Sequence, residues 1–158
     1  MKKLSLYIAC LLCLLTACEP DTECRQEETV RLKVTFLCDS VNAEGEKVTF
    51  TSIDSLTLQG VGSDSILRNN DKNVSSLSLP LRKDTTLTQF AVTFNNVLDT
   101  LTVRHTNNQQ FISLACGCFV YHTVEEVTHT THIVDSVLIV NAAVENYEQN
   151  NLQLYLSF

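Results

Sequence analysis

Apolar and polar residues alternate along short segments that recur from Val30 to the end of the chain. The clearest segments are 32–38, 77–81, 90–94 and 152–158, in which every second residue is apolar. Successive side chains of a β-strand point to opposite faces, so this alternation indicates strands with one buried face. No long segment shows the 3.6-residue period of a helix. The pattern therefore predicts an all-β fold.

Eight or nine such strands are expected, spaced by about a dozen residues and separated by polar turns. This arrangement predicts an antiparallel β-sandwich over 29–158, with a small β-barrel as the alternative. Thr-Asn-Asn-Gln-Gln at 106–110 is expected to be a turn. Segment 111–123 is expected to be one strand, and the apolar run in 133–144 to be a strand buried on both faces.

The composition supports a single globular domain. The chain has 158 residues, of which 44% are hydrophobic and 18% are charged, which is too apolar for a disordered protein. The net charge of -7 argues against nucleic-acid binding, because that function needs a basic surface against the phosphates. We therefore expect no nucleic-acid partner.

The first eighteen residues predict export and lipid attachment. Lys2 and Lys3 precede an apolar segment, 4–15, which as a helix would rise only about 18 Å and is too short to span a bilayer. The sequence that follows, Leu-Thr-Ala-Cys at 15–18, resembles a bacterial lipobox. The resemblance implies a signal peptide over 1–17 and a diacylglycerol on the thiol of Cys18.

The mature chain would then begin with a lipid-anchored tether, 18–28. Cleavage removes both lysines of the signal, so the side-chain charge of -7 becomes -9. We expect the protein to be held at the bacterial outer membrane by its lipid. The acidic residues Glu19, Asp21 and Glu23 resemble surface-export tags of Bacteroidota lipoproteins, and they also suit a solvated tether. The periplasmic leaflet and the cell surface both remain open.

Four cysteines remain after processing: Cys24, Cys38, Cys116 and Cys118. An even number in an exported chain predicts two disulfides. On a strand, Cys116 and Cys118 would point the same way about 6.6 Å apart, which discourages a bond between them. We favour Cys24–Cys116 and Cys38–Cys118, and the swapped pairing remains open. A redox-active or metal-binding Cys-Gly-Cys motif is the alternative interpretation.

The order of these motifs resembles one family. It consists of the lipobox, an early cysteine, the Leu79-Pro80-Leu81 strand, the segment Ser113-Leu114-Ala115-Cys116-Gly117 and an alternating C-terminal strand. This order resembles the Bacteroidota lipoproteins grouped as domain of unknown function 6452, and the resemblance covers most of the mature chain. It implies a small exported β-rich lipoprotein, a bond between the early cysteine and the one before glycine, and no known activity.

No motif in the chain predicts catalysis or a cofactor. A Gly-x-Ser-x-Gly elbow, a phosphate-binding loop and a dinucleotide fingerprint are all absent from the sequence. His122, His129 and His132 lie near Glu125 and Glu126, but on a strand or turn they would not share a face. We expect solvent-facing histidines on a hairpin, no metal site and no catalytic residue.

A triplet of Asp, then Ser or Thr, then an apolar residue or Thr occurs six times. It resembles the O-glycosylation sequon of Bacteroidota export pathways, although Asp-Ser and Asp-Thr also begin strands in unmodified proteins. The candidate hydroxyl residues are Ser40, Ser55, Ser65, Thr85, Thr100 and Ser136.

The sequence thus predicts a non-enzymatic envelope lipoprotein that acts as a structural or interaction module. A ligand-binding accessory for glycans is the alternative, although the chain lacks Trp and keeps only Tyr121, Tyr147 and Tyr155 as tyrosines after processing. A concave cluster of Tyr and Phe would favour that alternative. A thiol-redox protein using Cys116 and Cys118 is the second alternative.

Overall fold

The computed structural model describes residues 24, 29–41, 45, 47–147 and 149–158, with only the backbone described for 39–41 and 47–50. These ranges contain eleven strands. They are β1 (Leu32–Val41), β2 (Lys47–Phe50), β3 (Leu56–Gly60), β4 (Ile66–Asp71), β5 (Ser76–Leu79), β6 (Leu87–Phe94), β7 (Val97–Ser113), β8 (Gly117–His129), β9 (Val134–Ile139), β10 (Ala143–Val144) and β11 (Leu152–Ser157).

The strands form two sheets that pack face to face. The first has five strands in the order β2-β1-β11-β9, with β5 also paired to β1. The second has six, in the order β10-β8-β7-β6-β3-β4. Neither sheet closes on itself within the described ranges, so the predicted sandwich is confirmed rather than the small barrel. The expected number of strands was too low, because short strands such as β10 have no alternation to reveal them.

The sandwich is not wholly antiparallel. β1 and β11 run parallel, with Val34 opposite Leu152 and Phe36 opposite Leu154. The two ends of the domain therefore lie side by side in the centre of the first sheet. Alternation indicates which face of each strand is buried, but it does not indicate whether a neighbouring strand runs parallel or antiparallel. The sequence therefore did not predict the parallel pairing of β1 with β11.

The core consists of the alternating apolar side chains of both sheets. Phe36 of the first sheet meets Phe94 of the second edge to face, with ring centroids 5.9 Å apart. Burial of this kind stabilises a fold by about 25 cal/mol per Å² of apolar surface removed from water. The largest apolar side chains below 2% exposure are Phe36, Phe90, Phe94, Leu32, Ile53, Leu56, Leu58, Leu79, Leu152 and Leu154.

Strands β7 and β8 form a long two-stranded ribbon, and here the predicted boundaries were wrong. The expected turn at 106–110 is part of β7, paired with 119–123 of β8. The chain instead turns at 114–116, after Ser113 and before Gly117, which has a φ of 69°. The polar residues of 106–110 suit a strand here, because the ribbon exposes them to water.

The run 133–144 is not one strand buried on both faces. β9 covers only Val134–Ile139 and lies at the edge of the first sheet. Leu138 is 49% exposed and Val140 is 53% exposed, because nothing in the described structure covers the outer face of this edge. Within the same ranges, no helix has the length and apolar character needed to cross a membrane.

Candidate functional site

A disulfide joins the tether to the end of the β7–β8 ribbon. Cys24 and Cys116 are bonded, with 4.7 Å between their Cα atoms and a separation of 92 positions in the sequence. This is one of the two bonds favoured from the sequence. Cys18, the predicted lipidation site, lies outside the described residues.

The predicted Cys38–Cys118 bond is wrong. Cys38 is buried at 0% exposure on β1 in the first sheet, whereas Cys118 is an exposed, free thiol on β8 in the second. The prediction assumed one strand through both Cys116 and Cys118. Because the chain turns at Cys116, the two cysteines do not act as a parallel pair.

The end of the ribbon, residues 111–118, is apolar and exposed; we call it the ribbon tip. Phe111 is 60% exposed and Leu114 is 97% exposed. The hydroxyl of Ser113 accepts a hydrogen bond of 3.0 Å from the backbone N–H of Cys116, which fixes the turn. No Asp, Glu, Lys or Arg occurs from His105 to Val124.

Two histidines lie buried at the base of the ribbon. His105 of β7 is 0% exposed and His122 of β8 is 2% exposed, and their rings meet edge to face at 5.1 Å. The expectation of a solvent-facing His122 is wrong, because it shares the buried face of β8 with Val124. His105 follows Leu101 and Val103 on the inward face of β7, so an extended alternation would have revealed it.

Asn107 connects both rings to the loop before β6. Its Nδ2 donates to the carbonyl oxygens of Thr85, at 2.7 Å, and of Lys83, at 3.0 Å. Its Oδ1 must therefore be the acceptor for Nδ1 of His105, at 2.9 Å, and Nδ1 of His122, at 2.7 Å. Both rings thus carry their proton on Nδ1.

The remaining ring nitrogens have different surroundings. Nε2 of His105 accepts a hydrogen bond of 2.8 Å from the hydroxyl of Thr88, which in turn accepts one from the backbone N–H of Arg82 at 3.0 Å. Nε2 of His122 is buried and has no hydrogen-bond partner among the described residues. A second proton on His122 would find no acceptor among them.

The surroundings hold both rings in the neutral form. Burial, the neighbouring His105 and the charge of Lys83 lower the pKa of His122 to about 4. Burial also lowers the pKa of His105, although the hydrogen bond with Asn107 and the charge of Glu125 oppose the shift. The cluster is thus a neutral structural network at neutral pH.

Asp99 is the centre of another buried group of hydrogen bonds. At 1% exposure it accepts hydrogen bonds from the hydroxyl of Thr130 at 2.5 Å and from the backbone N–H groups of His132, Ile133 and Val134 at 2.7–3.0 Å. Burial alone would raise the pKa of this carboxyl, but these hydrogen bonds outweigh it and lower the pKa to about 2. Asp99 therefore fixes the loop between β8 and β9.

The six candidate hydroxyl residues differ in accessibility. Ser65, before β4, and Ser136, on β9, are exposed. The side chain of Ser40 lies outside the described residues.

The other three hydroxyl residues are half-buried. The hydroxyl of Ser55 donates to Oδ1 of Asn70 at 2.5 Å, and that of Thr85 donates to the carbonyl of Leu87 at 2.7 Å. Thr100 is also half-buried, next to Asp99. These hydroxyl groups are less available to an enzyme than those of the exposed pair.

The clefts that the described residues line do not gather aromatic side chains. One, of about 90 Å³, contains Tyr147 among charged and polar residues, and is well below the 300 Å³ at the lower end of ordinary ligand sites. Another, of about 400 Å³, includes Phe90, whose ring is 1% exposed. Neither supplies the concave aromatic face that a glycan-binding site would use.

No group of three or more His, Cys, Asp or Glu residues in the described part of the chain is arranged to hold a metal ion. Of the three histidines that lie close together in the sequence, His122 is buried at the ribbon base, His129 is half-buried, and His132 is exposed and contacts Asp99 through Nδ1 at 3.1 Å. The structure thus separates them.

Comparison with known proteins gives one match. The model of a family described as "Family of unknown function (DUF6452)" matches residues 55–156, which is more than half of the chain. Neither the curated proteins nor the solved structures contain a match.

Proposed function

This chain belongs to the DUF6452 family, a family of unknown function, and from its own residues we propose that it is an exported lipoprotein of the bacterial envelope. Its lipid on Cys18 holds it to the outer membrane of a Bacteroidota cell. Its β-sandwich acts there as a non-enzymatic structural or interaction module.

The Cys24–Cys116 disulfide is the observation that carries this proposal. Disulfides persist in oxidising compartments such as the periplasm and the cell surface, and are rare in the cytosol. Cys24 lies only six residues after Cys18, the cysteine of the lipobox-like sequence. The same short segment therefore carries both marks of an exported lipoprotein.

The buried ionisable groups support a structural role. Asp99 uses its carboxylate to fix the β8–β9 loop, and the two buried histidines are linked through Asn107 to the loop before β6. Each of these groups has a structural task. We therefore assign none of them to catalysis.

Fractionation of the native host tests the anchor. Cys18→Ala removes the thiol that would receive the lipid, so we expect the protein to leave the outer-membrane fraction. Cys118→Ala is the matched control, because it removes a thiol that is exposed but not in the lipobox. Retention of the Cys18→Ala protein in the outer membrane would contradict the proposed anchor.

Glycans on the exposed pair of hydroxyl residues are a second part of the proposal. Ser65 and Ser136 each follow an Asp and are exposed, whereas Ser55 and Thr85 are hydrogen-bonded within the fold. Protein from its own host should carry extra mass that Ser65→Ala and Ser136→Ala together remove. A mass difference that equals only the two oxygen atoms lost in the Ser→Ala substitutions would count against modification at these two sites.

The thiol-redox alternative rests on the exposed thiol of Cys118, two residues from the bonded Cys116. It requires that Cys24 and Cys116 exchange readily between bonded and reduced forms. Thiol alkylation of the native protein distinguishes this alternative from a permanent structural bond.

A further inference from the structure

The ribbon tip combines exposed apolar side chains with an absence of formal charge. Phe111 and Leu114 present 60% and 97% of their surface to solvent. The 105–124 segment around them contains no Asp, Glu, Lys or Arg, although the whole chain has a net charge of -7. Exposed apolar surface of this kind marks a contact with something less polar than water.

The disulfide places this tip close to the predicted lipid. Cys24 lies six positions after Cys18, and an extended chain spans at most about 3.6 Å per residue, so the cysteine bonded to the tip lies within about 22 Å of the lipidated residue. Without the bond, the chain would first pack on the core at Val30, and twelve residues could reach about 43 Å. The bond thus reduces the reach of the tether by about half.

We propose that the ribbon tip inserts Phe111 and Leu114 into the interfacial region of the phospholipid bilayer that holds the lipid of Cys18. This inference rests on the proposed lipid anchor. A tip without charged side chains enters the interface without stripping water from an ion, and anionic headgroups do not repel it. Two apolar side chains are too few to bind a membrane alone, but the anchor makes their insertion intramolecular.

Insertion of the tip would also orient the sandwich. Beyond Asn107 and His122, the ribbon has no third strand beside it in the described structure. Its free part, from Asn108 to Ser113 along β7, is about 20 Å long at the usual rise of a strand. The ribbon would act as a strut that holds the acidic sandwich away from the membrane surface.

Cys118 provides a reporter for the test, because its thiol is exposed and lies opposite Phe111 in the ribbon. The lipidated protein is labelled there with a fluorophore and reconstituted into phosphatidylcholine vesicles that contain a nitroxide-labelled lipid. The reference is a label on Ser65→Cys in a Cys118→Ala background, in the exposed segment before β4. We expect the lipid nitroxide to quench the Cys118 label severalfold more strongly than the reference label.

Two variants separate insertion from mere proximity. Leu114→Asp should reduce the quenching at Cys118 to the level of the reference, because it puts a charge on the most exposed apolar residue of the tip. Leu138→Asp is the matched control, since Leu138 is also an exposed apolar residue but lies on β9, and it should change nothing. Loss of the disulfide in Cys24→Ala/Cys116→Ala should also weaken the quenching, because the tether becomes longer.

The intact mass of the same sample reports whether Cys18 carries lipid. Lipid at Cys18 together with a Cys118 label that only aqueous quenchers reach would overturn the inference and leave the anchor standing. A chain without lipid would overturn both. Protection of the Cys118 label from aqueous quenchers that survives Leu114→Asp, or that depends on protein density in the vesicles, would indicate contact between copies of the protein at the tip. Either result would also overturn the inference.

Discussion

Asn107 makes more of the described hydrogen bonds than any other residue of the buried polar cluster. Its Oδ1 accepts from both His105 and His122, and its Nδ2 reaches the carbonyl oxygens of Lys83 and Thr85. Buried polar groups cost stability when a partner is lost, so the cluster holds only while all of its members keep their present protonation. Acid is the simplest way to break it.

We predict that stability falls between pH 6.5 and about 4 because of His122. Its pKa in the folded protein is about 4, below the ordinary 6.5, so the unfolded chain binds the extra proton in this range. The stabilisation is complete above pH 6.5 and is lost as the pH falls towards 4, to a total of about 3 kcal/mol. Urea unfolding across this range measures it.

His122→Gln should flatten this dependence, because glutamine does not titrate and its amide can still donate to Asn107. His129→Gln is the matched control, since Nδ1 of His129 bonds to the backbone carbonyl of Thr130, outside the cluster. An unchanged slope in His122→Gln would show that another group controls the acid sensitivity.

At the residue scale, alternation located most of the core but not the polar residues within it. His105 and Asp99 occupy inward positions in line with Leu101 and Val103, so their positions fit the alternation of buried residues. Their side chains are polar, however, and polar side chains are more often exposed to solvent. Their burial depends on partners distant in sequence, such as the 130–134 loop around Asp99. Those partners become visible only in the folded chain.

The tight turn between β6 and β7 shows how local sequence fixes an element. Asn95 and Asn96 have φ values of 45° and 74°, as in a two-residue hairpin turn that needs positive φ at both positions. Oδ1 of Asn95 also accepts a hydrogen bond of 3.0 Å from the backbone N–H of Ser55. Asn tolerates positive φ better than most other residues with a side chain, so the Asn-Asn pair suits this turn.

We predict that Asn96→Gly stabilises the protein by up to about 1 kcal/mol, because glycine adopts positive φ without the steric cost of a side chain. Asn96→Ala should destabilise it for the opposite reason. Asn95 is left unchanged because its side chain contacts Ser55. Thermal unfolding compares the three proteins, and a lower melting temperature for Asn96→Gly would contradict this explanation of the turn.

The turn between β7 and β8 is less clearly indicated by its local sequence than the turn between β6 and β7. Leu114, Ala115 and Cys116 are not typical turn residues, and only Gly117 marks the reversal. The polar residues of 106–110 lie instead in a paired strand, because an exposed ribbon has no need for apolar residues there. The prediction therefore placed the turn several residues too early and ran one strand, 111–123, through the actual turn. The wrong Cys38–Cys118 bond depended on that strand.

Over the whole molecule, the two chain ends meet in one sheet and the disulfide adds a second connection. β1 and β11 lie side by side, while Cys24, just before β1, is bonded to the far end of the ribbon. A bond that closes so long a loop contributes about 4–5 kcal/mol in the chain-entropy picture. The proposed export, the proposed lipid attachment and the proposed membrane contact of the ribbon tip all depend on this short N-terminal segment.

Intact mass of the protein from its own host, alkylated before and after reduction, tests the account most directly. We predict a chain that begins at Cys18 and carries an acyl-lipid increment, with one alkyl group added to the native protein, at Cys118. Reduction without unfolding should add two more, at Cys24 and Cys116, because Cys38 is buried. An unprocessed chain without lipid, or thiols at Cys24 and Cys116 that react before reduction, would contradict the account.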